Sequence, residues 1–293
     1  MMRRVVVFLK AIRALESTLM VGFPLIGTFF ALTRVTGAEM ADILRFLPST
    51  YGLVIYVYAL NSWGGIETDR ANARLGHHPV LTGDITATQL LAVALVGLAV
   101  SFFLYLVWLP RCFPIALAIF AVWTLYSHPD VLAKGRPIWG SVIHFTGGIL
   151  QFLLGWIVVR EIDAPAVALA IFFAGVFAAG HLNHEVKDHD ADKSIGLRTN
   201  AVVFGPRRML NVALAVFGVF ALYLVVVSLR GLIDWSLSWP FVAIFPLHVV
   251  AHLAMRPREG EVYRRSYQAV YRALYVAAGL VTLTTQLLSI RLG

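Results

Sequence analysis

The sequence predicts an all-α, polytopic membrane bundle of about nine transmembrane helices, built as one domain over residues 1–293. Three observations carry that expectation. The chain is 59% hydrophobic and 14% charged with a mean hydropathy of +0.78, whereas a soluble domain carries about 25% charged residues. Apolar runs of roughly 20 residues, the length that crosses a bilayer as a helix, recur along it. Lys and Arg gather in alternate loops, the asymmetry that orients membrane proteins.

Taken in order, the expected spans are 16–35, 43–61, 88–109, 111–127, 138–159, 164–184, 207–228, 237–255 and 268–289. The fourth is short, and the eighth contains Pro240 and Pro246. The N-terminal segment is basic with a brief apolar run. It lacks a small-residue cleavage site and is interrupted by Lys10 and Arg13, so it does not read as a signal peptide. The lone cysteine, Cys112, excludes an internal disulfide and a cysteine metal cluster. With the N-terminus inside, about three quarters of the Lys and Arg fall on the cytoplasmic side. Orientation therefore accounts for most of the +8 net charge without nucleic acid. The expected location is integral to a bacterial inner membrane, with the polar loops after the second, fourth, sixth and eighth spans in the cytoplasm. The second and sixth spans each end in an acidic stretch, and the fourth and eighth lead into basic loops. This suggests a four-helix unit used twice with a ninth helix added. The small residues Gly147, Gly148, Gly155, Gly175 and Gly180 inside spans read as close helix packing.

Two polar stretches carry chemistry. The stretch His181–Thr199 holds Glu185, Asp188, Asp190 and Asp192, four of the 16 acidic residues, with Lys187, Lys193 and Arg198 interleaved. On a helix, residues 185, 188 and 192 share a face. Three like charges there repel unless a cation sits among them. Either this is a solvated acidic face, or it binds a hard divalent cation such as Mg²⁺ that keeps positions open for substrate phosphates. The stretch Asn61–Arg70 also follows an apolar run and ends in the acids Glu67 and Asp69, which suggests two halves of one site. His248 and His252 are the one clean i, i+4 histidine pair, too few ligands for a di-iron oxygenase, which needs many histidines on several helix ends. His144, inside the fifth span, reads equally as a satisfied polar contact or a pocket residue. Asp69–Arg74 faintly echoes a CDP-alcohol phosphotransferase motif, but the second pair of aspartates that motif requires is missing.

The two stretches together resemble the UbiA superfamily of intramembrane prenyltransferases. Its first motif, Asn-Asp-x-x-Asp-x-x-x-Asp followed by a polar Arg-Pro-Leu-x-x-Gly segment, is matched by Asn61, Asp69, Arg70 and His78–Gly83. Its second, Asp-x-x-Asp-x-x-x-Asp followed by Gly-x-x-Thr, is matched by Glu185, Asp188, Asp192, Gly196 and Thr199. Tyr126, Ser127 and Lys134 look like the family's Tyr-Ser…Leu-Lys segment. The chain departs from the pattern at Ser62 and Gly65, where the family carries aspartates. Either Glu67 or Asp69 takes over ligation there, or one ion alone is well held, or activity is altered.

The resemblance implies a Mg²⁺-dependent transferase moving an isoprenyl group from an allylic polyprenyl diphosphate to a lipid-soluble, aromatic or other small acceptor. Asn61, Glu67, Asp69, Glu185, Asp188 and Asp192 are the implied metal ligands. Asn61, Arg70, Tyr126, Lys134, Lys193 and Arg198 are the implied substrate contacts, and Asp69, Asp188 and Lys134 the implied catalytic residues. Tyr56, Tyr58, Trp63 and Phe145 are aromatic faces that could stabilise a carbocation. The alternatives are a membrane terpene cyclase acting on the diphosphate alone, or a non-catalytic transporter or channel.

Overall fold

Backbone amides in hydrocarbon have no water to pair with, so an apolar run of this length satisfies them internally by forming a helix. The computed structural model describes residues 2–70, 78–129, 131, 133–255 and 261–292. Arg74, Asp130, Arg256 and Arg258 of the expected polar loops lie outside these. The described helices are α1 (Met2–Ala11), α2 (Ala14–Ala31), α3 (Gly37–Gly64), α4 (Ile66–Arg70), α5 (Pro79–Thr82), α6 (Ala87–Trp108) and α7 (Phe113–Ser127). They continue as α8 (Trp139–Trp156), α9 (Ala164–Ser194), α10 (Asn200–Phe204), α11 (Pro206–Leu229), α12 (Trp235–Met255) and α13 (Glu261–Ser289). Two-residue strands occur at Arg34–Val35 and Arg291–Leu292.

The starts of these helices are written locally. Thr36 and Glu39 form a reciprocal capping box at α3, and Thr86 and Gln89 do the same at α6. Asp163 Oδ1 accepts from Ala166 N–H at 3.0 Å to cap α9. Past the end of α9, Gly196 adopts φ +74°, a backbone turn that a side chain would resist.

Among the described residues, seven helices are long and apolar enough to cross a membrane: α2, α3, α6, Pro110–Ser127 (a 3-10 turn run into α7), α9, α11 and α12. The helical membrane class is as expected, and seven of the expected nine spans meet the length and composition of a membrane crossing among the described residues. α8 and α13 are helical where the fifth and ninth spans were expected. The interior of α8 is diluted by Ser141, His144 and Gln151, and α13 opens with a charged turn.

The described chain divides into two compact units. The first comprises Met1–Ala31, Val35–Gly135 and Leu150–Glu161. Its centre is α3, 56% of whose apolar window is buried, against 22% for α6 packed on it. The α3–α6 crossing is a close backbone approach. A Cβ on Gly52 would sit 2.8 Å from the Gly97 carbonyl oxygen, and one on Gly97 would sit 3.0 Å from that of Gly52. Ser101 Oγ donates to the Ser49 carbonyl at 2.7 Å, and the Thr50 and Tyr105 hydroxyls pair at 2.7 Å beside it. The outer face of α6 exposes Leu95, Val96, Val100, Phe103, Leu106 and Val107, a surface suited to lipid.

The second unit comprises Leu32–Arg34, Arg136–Ile149 and Ile162–Gly293. Its centre is α9, 67% of whose apolar window is buried. Small residues are again where helices meet: a Cβ on Gly148 would reach the Ala174 Cα at 2.9 Å, and one on Gly175 would overlap the Phe220 ring. Between α11, α12 and α13 lies a buried polar knot. Tyr267 Oη meets His248 Nε2 at 2.9 Å and His252 Nδ1 at 3.0 Å, and His252 Nε2 meets Asn211 Oδ1 at 3.0 Å. The i, i+4 histidine pair is thus engaged in helix pairing through Tyr267 and Asn211.

Candidate active site

Both polar stretches continue the most buried helix of their unit. The first begins on the last turn of α3, at Asn61, and turns at Gly65 into the short helix α4. The Asp69 N–H donates to the Gly65 carbonyl at 2.7 Å, which holds this turn. Lys134 arrives from the 3-10 turn Ala133–Gly135, and its Nζ donates to Asn61 Oδ1 at 3.3 Å. A Cβ built on Gly65 would stand 2.8 Å from Lys134 Nζ, 3.0 Å from the Asn61 carbonyl oxygen and 3.3 Å from Asp69 Oδ2. The absence of a side chain at 65 is therefore what gives the ammonium its seat.

Burial raises the Asp69 carboxyl above its usual pKa, while the cationic Lys134 and Arg13 draw it back down. Arg13 sits at φ +48° between α1 and α2 and lays its guanidinium 5.1 Å from the Tyr58 ring centroid. Sequence reading assigned Arg13 no part in the site, since only the fold brings its charge to bear on Asp69. Glu67 and Arg70 are exposed. Tyr126 is half-buried, edge-on to Trp123 at 5.4 Å. The Tyr56 hydroxyl pairs with Thr124 at 2.6 Å, so this candidate aromatic is held in packing.

The second stretch is not a loop. Residues 181–194 of it form the last turns of the 31-residue α9, so Glu185, Asp188 and Asp192 do occupy positions i, i+3 and i+7 of one continuous helix. Their surroundings differ. Glu185 is buried, 6% exposed, and its Oε1 accepts from Asn200 Nδ2 at 3.2 Å and lies 3.1 Å from His181 Nε2. The His181 ring stacks on that of His144 at 3.6 Å, settling His144 as a residue of this cluster, and His144 Nδ1 meets the Gly140 carbonyl at 2.8 Å. Asp188 is partly exposed, 3.5 Å from Lys187 Nζ. Asp192 is half-buried, and Lys193 and Arg198 are exposed. Asp190 pairs with Arg264 of α13 and with His189 at 2.7 Å, a tie between helices.

Asn200 is the residue that sequence reading missed. Besides Glu185, its Nδ2 donates to Ser141 Oγ at 3.2 Å, and its Oδ1 accepts from the Ile138 N–H at 2.7 Å. Ile138 has φ +71°, an outlier for a β-branched side chain. One amide thus fixes a strained turn before α8 to a carboxylate of α9. No spacing rule marks it; its only signal is adjacency to Thr199. Among the described residues, Glu185 Oε2, both side-chain polar atoms of Asn183 and Thr199 Oγ1 are buried without a hydrogen-bond partner. Unpaired buried polar atoms are costly, and these stand on the acidic end of α9 and the turn that follows it. No three carboxylate, imidazole or thiol side chains among the described residues form a ready-made metal cluster.

Known proteins resemble this chain in sequence and in fold. The profile of the UbiA prenyltransferase family matches residues 20–279. The digeranylgeranylglyceryl phosphate synthase of Natronomonas pharaonis is 30% identical over 220 residues, 73% of this chain and 74% of that protein. The 4-hydroxybenzoate octaprenyltransferase of Polynucleobacter asymbioticus is 24% identical over 228 residues, 74% of this chain and 75% of that one. A structure of a UbiA homologue from Archaeoglobus fulgidus bound to DMAPP and Mg²⁺ superposes with a TM-score of 0.74 at 18% identity, covering 94% of this chain and 99% of the other. A profile match across nearly the whole chain and a shared fold, with acidic motifs closing the two central helices, place this protein in the UbiA prenyltransferase family, as a membrane prenyltransferase.

Proposed function

We propose that the protein transfers an isoprenyl group from an allylic diphosphate to a lipid-soluble acceptor with Mg²⁺ bound at the end of α9. The observation that carries this reading is the face of Glu185, Asp188 and Asp192, which runs from the last buried turn of α9 to its half-exposed end. Glu185 Oε2 there is buried and unpaired, and Asp188 and Asp192 are half-open to solvent. That donor set, all oxygen and incomplete without water or phosphate, fits Mg²⁺. When bound, Mg²⁺ neutralises the diphosphate and stabilises the charge that the leaving group acquires.

The chain's own residues do the rest. Asp188 and Asp192 would hold the ion, and Glu185, fixed by Asn200 and His181, would add its unpaired oxygen. Beside α9, Lys193 and Arg198 are the phosphate contacts, as point charge and fork; in the first unit Lys134 and Arg70 are the cations suited to phosphate, and Asn61 orients the Lys134 ammonium. In the reaction the C1–O bond of the donor breaks with its electron pair leaving on the diphosphate. The acceptor's nucleophilic atom then bonds to C1 and gives up a proton. Tyr126 lines the approach, and the apolar helices exclude the water that would otherwise quench an allylic cation. The whole chain acts as one catalytic domain in the cytoplasmic membrane, with both motifs facing the cytoplasm.

The test is a panel of allylic diphosphates supplied to the protein in liposomes. Diphosphate release is read with and without Mg²⁺, and with and without a phenolic or glyceryl phosphate acceptor. Release should require both additions, and Asp188→Ala should lower it by at least ~10²-fold. Hydrocarbon formation with no acceptor would show a cyclase instead. Full activity in Asp188→Ala would remove the ion from α9.

A further inference from the structure

The first motif poses a problem that the second does not. Among its described residues, the carboxylate and amide donors not exposed to solvent are Asp69, half-buried, and Asn61, whose oxygen already accepts from Lys134 at 3.3 Å. Glu67 stands two residues from Asp69 on the short α4, a spacing that turns the two side chains to different sides, and it is exposed. Mg²⁺ demands six oxygens at about 2.0–2.1 Å in an octahedron. One carboxylate and a shared amide are a poor start on that shell. A cation is nonetheless in place. Lys134 Nζ lies 2.8 Å from where a Cβ on residue 65 would be, and Asp69 Oδ2 lies 3.3 Å from the same point. Any side chain at 65 would have to move the ammonium. The related pattern has an aspartate at this position; here there is glycine, and the space is used by a positive charge. With glycine at 65 the ammonium stands against the backbone, and a divalent ion held by Asp69 and Asn61 would face Lys134 at close range and the charge of Arg13 beyond it.

We propose that the Lys134 ammonium, seated against Gly65 beside Asn61 and Asp69, takes the place of a first-motif metal ion, so that the protein works with one divalent cation per chain. The proposal rests on the Mg²⁺-dependent reading above. Lys134 is then a permanent cation for the diphosphate: it needs no metal to load, and it arrives with Asn61 as its positioning residue. The class of substrate is unchanged, but half of the charge neutralisation becomes part of the protein.

The experiment counts metal. The full-length protein in detergent is saturated with geranyl S-thiolodiphosphate, whose bridging sulfur makes it unreactive, and titrated with Mn²⁺, with bound ion read by electron paramagnetic resonance. The wild type should bind one Mn²⁺ per chain, with no spin coupling between neighbouring ions. The double variant Gly65→Asp/Lys134→Ala, which restores the carboxylate and empties the ammonium seat, should bind two. Two ions in the wild type would overturn the proposal while leaving the metal-dependent reading intact, and none would remove both. A folded double variant that still binds one would also overturn it. If that variant does not fold, the wild-type count decides the matter alone.

Discussion

Asn200 shows how much a single side chain can settle here. It joins the strained Ile138 turn, Ser141 and Glu185 through three hydrogen bonds of 2.7–3.2 Å. A β-branched residue at positive φ costs on the order of 1–3 kcal/mol, and Asn200 is the partner that holds it. Asn200→Ala should leave the Ile138 N–H unpaired and the Glu185 carboxylate with His181 alone beside it, and lower stability by about 1–3 kcal/mol, seen as a fall in the thermal unfolding midpoint in detergent. An unchanged midpoint would show that the amide is dispensable. Asp69 gives a pH-dependent counterpart. Burial raises its pKa in the folded protein, so the folded state holds this proton more readily than the unfolded chain does. Its stabilising contribution is present at low pH and lost as pH rises through the raised value. In the metal-free protein, Asp69→Asn should therefore unfold at a higher temperature than the wild type at neutral pH. The gap should close as pH falls through the raised value towards the unfolded carboxylate pKa of about 3.9. A gap that widens on acidification would reverse the sign of the burial argument.

At the scale of elements, the informative feature is which helices are buried. α3 and α9 are the central helices of their units, and both run on into the acidic motifs. A helix surrounded by others has little lipid-facing surface, so its end can carry polar groups that peripheral helices such as α6 do not. The Gly52–Gly97 contact that lets α3 and α6 close together is backbone on backbone and has no flexible side chain to yield. Gly52→Leu should cost about 1–3 kcal/mol through overpacking, read as loss of monodisperse protein on heating in detergent. The acidic face of residues 185, 188 and 192 was legible from spacing alone, because a 3.6-residue period needs no tertiary information. Where each carboxylate would go was not legible. Glu185 is turned to Asn200 and His181, Asp188 is left partly open, and identical spacing permits either outcome.

For the whole molecule, the distribution of Lys and Arg predicts both motifs on the cytoplasmic face. In a Cys112→Ser background, Lys193→Cys should react with a membrane-impermeant maleimide in inside-out vesicles and resist it in intact cells, and Arg230→Cys should behave in reverse. Matching accessibility for the two would contradict the orientation. Composition, apolar run length and charge asymmetry were sufficient to predict a helical membrane protein, because the bilayer admits few backbone solutions and penalises unpaired polar groups wherever they occur. Motif spacing was sufficient to predict that residues 185, 188 and 192 share one helix face. Tertiary structure alone decided the use of Gly65, the seat of Lys134, the nearness of Arg13's charge to Asp69 and the part played by Asn200. Each depends on segments distant in sequence meeting within a few ångströms, and local sequence carries no record of that distance.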